Sequence, residues 1–300
     1  MSLIINKFGG GIINSAKAIK HLPEIFKNYD KKDFSVNVFS AFGKTTNNLE
    51  KVLKCYINGD TVESEKVLNE LKVFHTEIAR ELFPENHIVF GLIEDIFKKI
   101  QQTLSLVGYD ENIKFIYDQI IPFGEILSAL IVSEYFSFIG IPNKLIHATD
   151  FLKTDSDFNA ANVDKKTTSE NLKIQVTDKV FALHKNIITE GFIGSCDEGM
   201  TTLGREGSDY TAGLLGNLMN ASKVILWKDV PGVMDKNPKL ADSADAKKID
   251  SITYEDFEKH LQTNAVGLVH PKTLYEVREK KIPLQIRPFW DLNSEGTIIK

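Results

Sequence analysis

The chain has 300 residues with a formal net charge of −5, and 42% of its residues are hydrophobic and 26% charged. This composition is typical of a folded protein with its own core rather than a disordered or collagen-like chain, and without a long basic run we expect no nucleic-acid partner. The sequence has no secretory signal, no apolar stretch close to the roughly 20 residues of a membrane span and no metal-type cysteine spacing, so we expect a cytoplasmic protein without a membrane partner.

The first 57 residues repeat a unit of strand, glycine-containing turn and helix. Apolar runs typical of buried strands are "LIINKF" and "FSVNVF", and each is followed by a turn and a segment with helical spacing. In the first helix Ser15 can act as the cap, and we expect Pro23 to kink it. Two such units predict an α/β fold with a parallel sheet.

The middle of the chain is predicted to be mostly helical. Leu, Val, Phe and Ile recur every three or four residues from about 61 to 117. A further helix is predicted over "GEILSALIVSEYFSFIG", closed by Gly140 and followed by a strand at "KLIHA". Residues 150–171 are polar and aperiodic, which predicts a long loop, and such loops are often functional.

The last 130 residues return to alternating elements. We expect a helix around 171–183, then strands at "NIITEGF" and "KVILW". Two helices are predicted near 253–262 and 271–280, and the final strands are predicted at "PLQIRPF" and "TIIK".

Three turns after predicted strands contain glycines: "KFGGG", "FSAFGKTTN" and "EGFIGSCDEGMTTLGREGSDYT". Such turns let backbone N–H groups approach an anion, and a following helix start adds partial positive charge, so phosphate is the expected ligand. "GKTT" is not a P-loop, because Val38 occupies the position of its first glycine. "GGGIIN" is a weak dinucleotide fingerprint, because Asn14 replaces the third glycine.

Side chains beside these turns suit an anion or an amino acid. Lys7 could reach a phosphate as a point charge, or be an ordinary strand-end lysine in solvent. Glu125 and Asp209 follow helix starts, where the helix dipole stabilises a carboxylate with or without a function. Arg205 is more informative, because a guanidinium between glycines suits a carboxylate or a phosphate. Three hydroxyls could cap helices and turns or contact a ligand: Ser40, Thr45 and Thr46.

Taken together, these motifs resemble the amino acid kinase superfamily and, within it, the aspartate kinase family. The matching segments occur in the family's order from residue 4 to about 299: "KFGG", "FSAFGKTTNNL", "FGEILSA", "TEGFIG" with "TTLGREGSDYTAGLL", "WKDVPGVMDKNPKL" and "VHPKTL". The resemblance implies a three-layer α/β/α sandwich with a mainly parallel central sheet. It also implies one kinase domain over residues 1–300, with an N-terminal lobe for the amino acid and a C-terminal lobe from about 200 for the nucleotide.

The resemblance implies phosphoryl transfer from ATP, with Mg²⁺, to the β-carboxylate of L-aspartate. The product, 4-phospho-L-aspartate, starts lysine, threonine and methionine biosynthesis, and a homodimer is expected. Because the substrate carboxylate attacks directly, positioning and charge neutralisation do most of the work. Alternatives are another acceptor, such as glutamate, carbamate or a nucleotide, and a catalytically silent protein that binds a nucleotide or an amino acid. "REGSDYT" together with "FGEILSA" favours aspartate among the acceptors.

The same resemblance assigns roles to individual residues. Lys7 and Asp209 are the implied catalytic residues, with Lys7 neutralising charge on the transferring phosphoryl group. Arg205 would clamp a substrate carboxylate, while Glu125 with Asp209 would hold the ammonium group. The other implied substrate contacts are Ser40, Thr46, Phe192 and Ser208. The implied nucleotide contacts are Lys7, Gly9, Gly10, Lys228, Asp229, Met234 and Lys239, and no protein metal ligand is expected.

The chain departs from the family pattern at several positions, some of them on the nucleotide side. Lys228, Met234 and Lys239 stand where the family has Thr, Tyr and Arg, and Gly267 replaces a lysine. The other replacements are Gly11, Ile12 and Ile13 for Thr-Ser-Val, Glu190 for Gln and Glu206 for Gly. We expect His270 to be a structural turn residue. Family members commonly continue into paired ACT domains, and we expect a kinase domain without them and without feedback inhibition through them.

Overall fold

The computed structural model describes residues 2–27, 33–106, 112–178, 180–181, 183–236, 246–263, 265 and 267–300. Within these residues an eight-stranded sheet forms the centre, and every neighbouring pair is parallel except the second with the third. The strands in spatial order are β10 (Ser251–Ile252), β12 (Thr297–Ile299), β11 (Leu284–Pro288), β7 (Lys223–Lys228), β1 (Leu3–Phe8), β2 (Phe34–Phe39), β4 (Asn186–Glu190) and β3 (Lys144–Leu145). Two hairpins stand apart from it: β5 (Ile193–Cys196) with β6 (Gly199–Thr202), and β8 (Val233–Met234) with β9 (Lys248–Ile249).

Helices cover both faces of this sheet. They are α1 (Ala16–Lys27), α2 (Thr45–Ile57), α3 (Thr61–Leu82), α4 (Val89–Ser105), α5 (Ile113–Ile120), α6 (Phe123–Phe138), α7 (Ala148–Phe151), α8 (Lys165–Leu172), α9 (Gly207–Leu218), α10 (Tyr254–Leu261) and α11 (Pro271–Glu279). After their first residue, β1 and β2 are buried at every position. Because successive strand residues point to opposite faces, both faces are covered. The predicted three-layer sandwich with a mainly parallel sheet is confirmed.

The centre of the sheet brings the sequence-predicted turns to one edge. β1 lies between β2 and β7, so that Phe8 is opposite Phe39 on one side and Trp227 on the other. The Phe8 ring stacks on the Phe39 ring, with centroids 4.9 Å apart. Because these strands are parallel, as is β4, their carboxyl ends all meet at the same edge. After β1 the chain continues to β2 on one side, and it returns to the other side of β1 only with β7. A crevice at such a switch point is the usual ligand site of a parallel sheet.

The segment predicted as a loop over 150–171 is partly helical. α8 begins at Lys165, where Asp164 caps it by accepting from the N–H groups of Lys166 and Thr167, and it continues as a π-helical turn over Lys173–Asp178. Only Thr168 and Leu172 are buried in α8, so it shows little apolar periodicity. Polar surface helices of this kind are invisible to a hydrophobic pattern. The β5–β6 hairpin was not predicted, and α1 runs from Ala16 to Lys27 through Pro23.

The helical segment Ile113–Phe138 is long and apolar enough to cross a membrane by length and composition, with a mean hydropathy of 1.5 in its most apolar part. The expectation that no apolar stretch approaches that length is therefore wrong for this segment. In the folded chain 72% of that part is buried inside the protein. α6 packs against β4, which is the environment of a core helix.

Candidate active site

A cavity of about 420 Å³ opens at the sheet edge where β1, β2 and β4 end. Its walls come from the turns after these strands, the first turn of α6 and the start of α9. All six residues predicted to contact the substrate line it: Ser40, Thr46, Glu125, Phe192, Arg205 and Ser208. Gly10, predicted to contact the nucleotide, lines it too. Residues far apart in the sequence thus form one concave polar surface.

Asp209 joins two lysines beside this cavity. Lys7 Nζ lies 2.6 Å from Asp209 Oδ1, and Lys228 Nζ lies 2.9 Å from Asp209 Oδ2. Burial by itself would raise the pKa of Asp209, but the two ammonium groups outweigh it and lower this pKa to about 2. Burial lowers the pKa of Lys7, against the opposing effect of Asp209. Two ammonium groups share one carboxylate, so the cluster carries an excess positive charge that suits a phosphoryl group.

This pairing bears on the role of Asp209. Both of its oxygens face lysine ammonium groups, and a carboxylate so occupied is a poor additional receptor for a substrate ammonium. The geometry therefore favours the predicted catalytic role of Asp209 over its predicted share in holding the amino group.

Glu125 is buried and, within the described residues, forms no salt bridge. It stands in the first turn of α6, is 3% exposed, and its Oε1 accepts from the N–H of Ala41 at 3.2 Å. Among the described residues Oε2 has no hydrogen-bond partner. Burial raises the pKa of Glu125 to about 8, although the Ala41 N–H acts in the opposite direction. A buried, unpaired carboxylate oxygen beside a cavity is costly unless a ligand completes it, and an ammonium group is the natural complement.

Close approach of the strand-end turns requires glycine at two positions. A Cβ at Gly10 would collide with the carbonyl of Ala41, and a Cβ at Gly191 would lie 2.5 Å from the Cβ of Ser208. The turns after β1 and β2 therefore pack directly on each other, and the turn after β4 packs directly on the start of α9. The N–H of Gly43 also donates to the carbonyl of Gly10 at 3.0 Å, which joins the first two turns.

Left-handed backbone is concentrated at the cavity. Five described non-glycine residues have positive φ, and three of them line it: Asn159 at 75°, Phe192 at 72° and Glu206 at 55°. Such conformations cost on the order of 1–3 kcal/mol each and persist where the surrounding structure holds them, often at functional sites. The N–H of Phe192, for example, donates to Thr211 Oγ1 in α9 at 3.0 Å.

The predicted nucleotide contacts are only partly brought together. Lys228 belongs to the Asp209 cluster, whereas Asp229 follows it in an exposed turn. Met234 lies in the β8–β9 hairpin, and its carbonyl accepts from His260 Nε2 at 2.6 Å. Neither Asp229 nor Met234 lines the cavity. Lys239 lies outside the described residues.

A larger cavity, of about 590 Å³, lies next to Glu190 and His147. His147 Nδ1 is 2.7 Å from Glu190 Oε1, and the N–H of Ala148 donates to Glu190 Oε2 at 2.7 Å. The bond to Glu190 raises the pKa of His147. Lys153 in the same wall donates to the Thr149 carbonyl and to Ser195 Oγ. Its main polar groups thus satisfy one another, so its size alone does not indicate a ligand site. Glu190, which replaces the family's Gln, is thus paired with His147.

Four further polar residues line the 420 Å³ cavity but were missed in the sequence: Asn47, Glu50, Tyr117 and Asn159. Tyr117 donates its hydroxyl to Glu50 Oε1 at 2.7 Å. Asn159 lies in the polar segment predicted to be a functional loop, which was the one signal that could have found it. Asn47 and Glu50 lie on α2, where their polarity is that of any exposed helix face.

Comparison with known proteins finds similarity to one protein family and to aspartokinases within the relatives. The sequence model of the amino acid kinase family matches residues 2–288. Aspartokinase 1, chloroplastic, of Arabidopsis thaliana is 28% identical over 307 residues, which cover 98% of this chain and 51% of that protein. Lysine-sensitive aspartokinase 3 of Escherichia coli is 26% identical over 299 residues, covering 99% of this chain and 64% of that protein. The chain thus spans about half to two thirds of the length of these relatives.

Solved structures give the same picture. E. coli aspartokinase III in complex with aspartate and ADP superposes with a TM-score of 0.87 at 27% identity, over 99% of this chain and 64% of that one. The uridylate kinase of Archaeoglobus fulgidus, at 14% identity and a TM-score of 0.53, shares the fold alone.

Proposed function

The chain belongs to the amino acid kinase family, and on that premise we propose that it transfers the γ-phosphoryl group of ATP to the β-carboxylate of L-aspartate, giving 4-phospho-L-aspartate. One observation carries this proposal: a buried carboxylate with a free oxygen and a guanidinium line one cavity, beside two lysines held by Asp209. Similar proteins named aspartokinases, and a similar structure that contains aspartate and ADP, support the choice of substrates.

The amino acid is held by groups of both signs. Glu125 accepts from the ammonium group, because its Oε2 is buried and otherwise unpartnered. Arg205 binds the carboxylate that is not phosphorylated, through the paired donors of a guanidinium. Hydroxyl contacts come from Ser40, Thr46 and Ser208, all in the cavity wall, and Phe192 lies against the substrate.

Transfer depends on charge neutralisation and alignment. An oxygen of the β-carboxylate attacks the γ-phosphorus, and the bond from that phosphorus to the bridging oxygen breaks, which leaves ADP. Lys7 and Lys228 stabilise the negative charge on the transferring group, while Asp209 fixes the positions of both ammonium groups. Backbone N–H groups of Gly9 and Gly10 donate to the phosphates.

Mg²⁺ fits this site as an ion held mainly by the nucleotide. No group of three or more His, Cys, Asp or Glu side chains within the described ranges could hold a metal, and both oxygens of Asp209 face lysines. Mg²⁺ commonly keeps several waters and takes phosphate oxygens with one or two carboxylates. Glu206, in the cavity wall, is a carboxylate suited to that role. When bound, Mg²⁺ neutralises phosphate charge.

The proposal extends to the pathway, the cellular compartment, the oligomeric state and the two lobes. The reaction begins the synthesis of lysine, threonine and methionine in the cytoplasm, and the enzyme is a homodimer. Its N-terminal lobe binds the amino acid and its C-terminal lobe, from about 200, binds the nucleotide, with Asp229, Met234 and Lys239 on the nucleotide side. Arg205 and Ser208 extend from the start of the second lobe into the amino acid cavity.

Trapping the acyl phosphate with hydroxylamine, using aspartate and Mg-ATP, tests the proposed function. We expect aspartyl hydroxamate and an equal amount of ADP. ADP formation with glutamate or carbamate but not with aspartate would reject the acceptor. Aspartate binding in calorimetry without turnover at any ATP concentration would indicate a silent binding protein instead.

A further inference from the structure

Asn159 presents a free amide to the amino acid cavity. It lies between α7 and α8, is exposed, and lines the cavity together with Glu125 and Arg205. Across the part of the chain that the structure describes, no group forms a hydrogen bond with its side-chain amide. The amide therefore has a donor and an acceptor available to a ligand.

The backbone at Asn159 is held rigidly in a left-handed conformation. Its N–H donates to Asp118 Oδ2 at 2.9 Å, and Asp118 is fully buried in α5. Asp118 also accepts from the N–H and the hydroxyl of Thr202 in β6, at 2.9 and 2.7 Å. The neighbouring Phe158 is buried and packs edge-on against Phe115. A side chain on a backbone fixed this well is pre-positioned for recognition.

The position of Asn159 identifies the part of the ligand that it contacts. A Cβ at Gly204 would lie 3.6 Å from the Asn159 carbonyl oxygen, so Asn159 is next to the residue that precedes Arg205. Lys7 and Asp209 are not among the residues that line the cavity. Asn159 therefore flanks the end of the ligand that Arg205 holds and not the group that receives the phosphoryl.

We propose that Asn159 determines acceptor specificity, by donating a hydrogen bond from its side-chain amide to the carboxylate that Arg205 binds. This inference rests on the proposed function, because it concerns the non-phosphorylated carboxylate of the acceptor amino acid. The guanidinium of Arg205 and the side-chain amide of Asn159 together recognise a carboxylate of the ligand. A ligand with a neutral amide in place of that carboxylate lacks the negative charge that strengthens both hydrogen bonds.

Two substitutions distinguish the contribution of the Asn159 side-chain amide from that of its strained backbone. Asn159→Gly removes the amide and relieves the positive φ, while Asn159→Ala removes the amide and keeps the strain. We expect the KM for aspartate to rise about tenfold in both variants, as for loss of a hydrogen bond to a charged group. The kcat and the KM for ATP stay within about twofold of wild type, and only the alanine variant loses thermal stability. Selectivity for aspartate over aspartic acid 1-amide, which lacks that carboxylate charge, falls in both.

Asn220→Gly is the matched control. Asn220 also has positive φ, at 50°, but is exposed at the end of α9 and does not line the cavity. It should leave the KM for aspartate unchanged. An unchanged KM in Asn159→Gly overturns the inference, whether or not Asn159→Ala is impaired, because the effect then belongs to the backbone. If the wild-type protein forms no ADP with aspartate, the proposed function fails first and this inference with it.

Discussion

Asp209 and Glu125 are buried to the same extent at one sheet edge, each 3% exposed, yet their partners differ. Two ammonium groups lower the pKa of Asp209 to about 2 in spite of its burial, whereas burial raises the pKa of Glu125 to about 8 against the backbone hydrogen bonds that its carboxylate accepts. Burial therefore does not separate them, and charge pairing does. The carboxylate of Asp209 has its cations without the amino acid, while that of Glu125 has an oxygen free for an ammonium group.

The largest expected effect is on kcat, and it distinguishes the lysine cluster around Asp209 from the residues that bind the amino acid. Lys7→Ala should lower kcat roughly a hundred- to a thousandfold, since it removes a charge that stabilises the transition state, with little change in aspartate affinity. Arg205→Ala should mainly raise the KM for aspartate. Steady-state kinetics with calorimetry of aspartate binding checks both. Near-normal turnover in Lys7→Ala would remove Lys7 from the transfer step.

The pKa of Glu125 predicts how aspartate binding depends on pH. With a pKa of about 8 in the free protein, Glu125 is mostly protonated at pH 7, and an ammonium ligand must displace that proton. Apparent affinity should therefore rise about tenfold from pH 7 to pH 9, until the aspartate ammonium itself deprotonates. Calorimetry in buffers of different ionisation enthalpy measures the released proton. Binding at pH 7 without proton release contradicts the assignment.

The same group makes a separate prediction about stability. The pKa of Glu125 in the folded protein lies above its usual value of 4.5, so between about pH 4.5 and 8 the folded state binds more protons than the unfolded state. Stability without ligand falls as pH rises through that window. Glu125→Gln should remove this part of the pH dependence and raise the Tm at pH 8, while it weakens aspartate binding. A Tm profile identical to wild type would contradict the raised pKa.

Glu190 sharpens the comparison as a third buried carboxylate, 1% exposed, at this edge. Because both of its oxygens are already held, by His147 and by the N–H of Ala148, Glu190→Gln should change kcat and KM by less than about threefold. The pKa of His147 is raised above 6.5 by Glu190, so the pair stabilises the fold below about pH 6.5 and this contribution is lost as pH rises. We expect a loss of roughly 0.5–1 kcal/mol at pH 5.5 and less at pH 8. Denaturant unfolding at both pH values checks this, and a large loss of kcat would place Glu190 in the reaction.

Glu206 gives the smallest expected effect on stability. Its φ of 55° at the start of α9 is unfavourable for a glutamate, and its side chain makes no capping hydrogen bond there. Glu206→Gly should raise the free energy of unfolding by about 0.5–1 kcal/mol. A loss of stability in urea unfolding would mean that the side chain makes a compensating contact.

Local sequence patterns predicted most strands of the central sheet, the glycine turns and the residues beside them. β1 and β2 are short apolar runs before glycines, and such runs are readable without tertiary information. His270 behaves as the structural turn residue expected, since it caps α11 by accepting from the N–H of Lys272 at 3.1 Å. These features depend on residues only a few positions apart.

Partnerships across the chain could not be predicted. Glu190 stands where the family has Gln, but its partner His147 lies 43 residues away, and nothing in the sequence links them. Likewise, only the register of β1 with β7 shows that Lys228 stands beside Lys7 and shares Asp209 with it. Asn159 could not be distinguished from the other residues of its polar loop, because its backbone is positioned by a hydrogen bond to the buried Asp118. In each case the charge environment or the conformation of the residue is determined by a neighbour that is distant in the sequence, so it can be found only in the structure.

The central place of β1 has a consequence for biosynthesis. One edge of β1 pairs with β2, formed by residue 39, but its other edge pairs with β7, which ends at residue 228. During translation that second edge therefore stays open while nearly 190 further residues leave the ribosome, and Lys7 has neither Asp209 nor Lys228 beside it. An early-made strand with an exposed edge is a target for unwanted pairing, and for β1 this edge is closed only when β7 pairs with it.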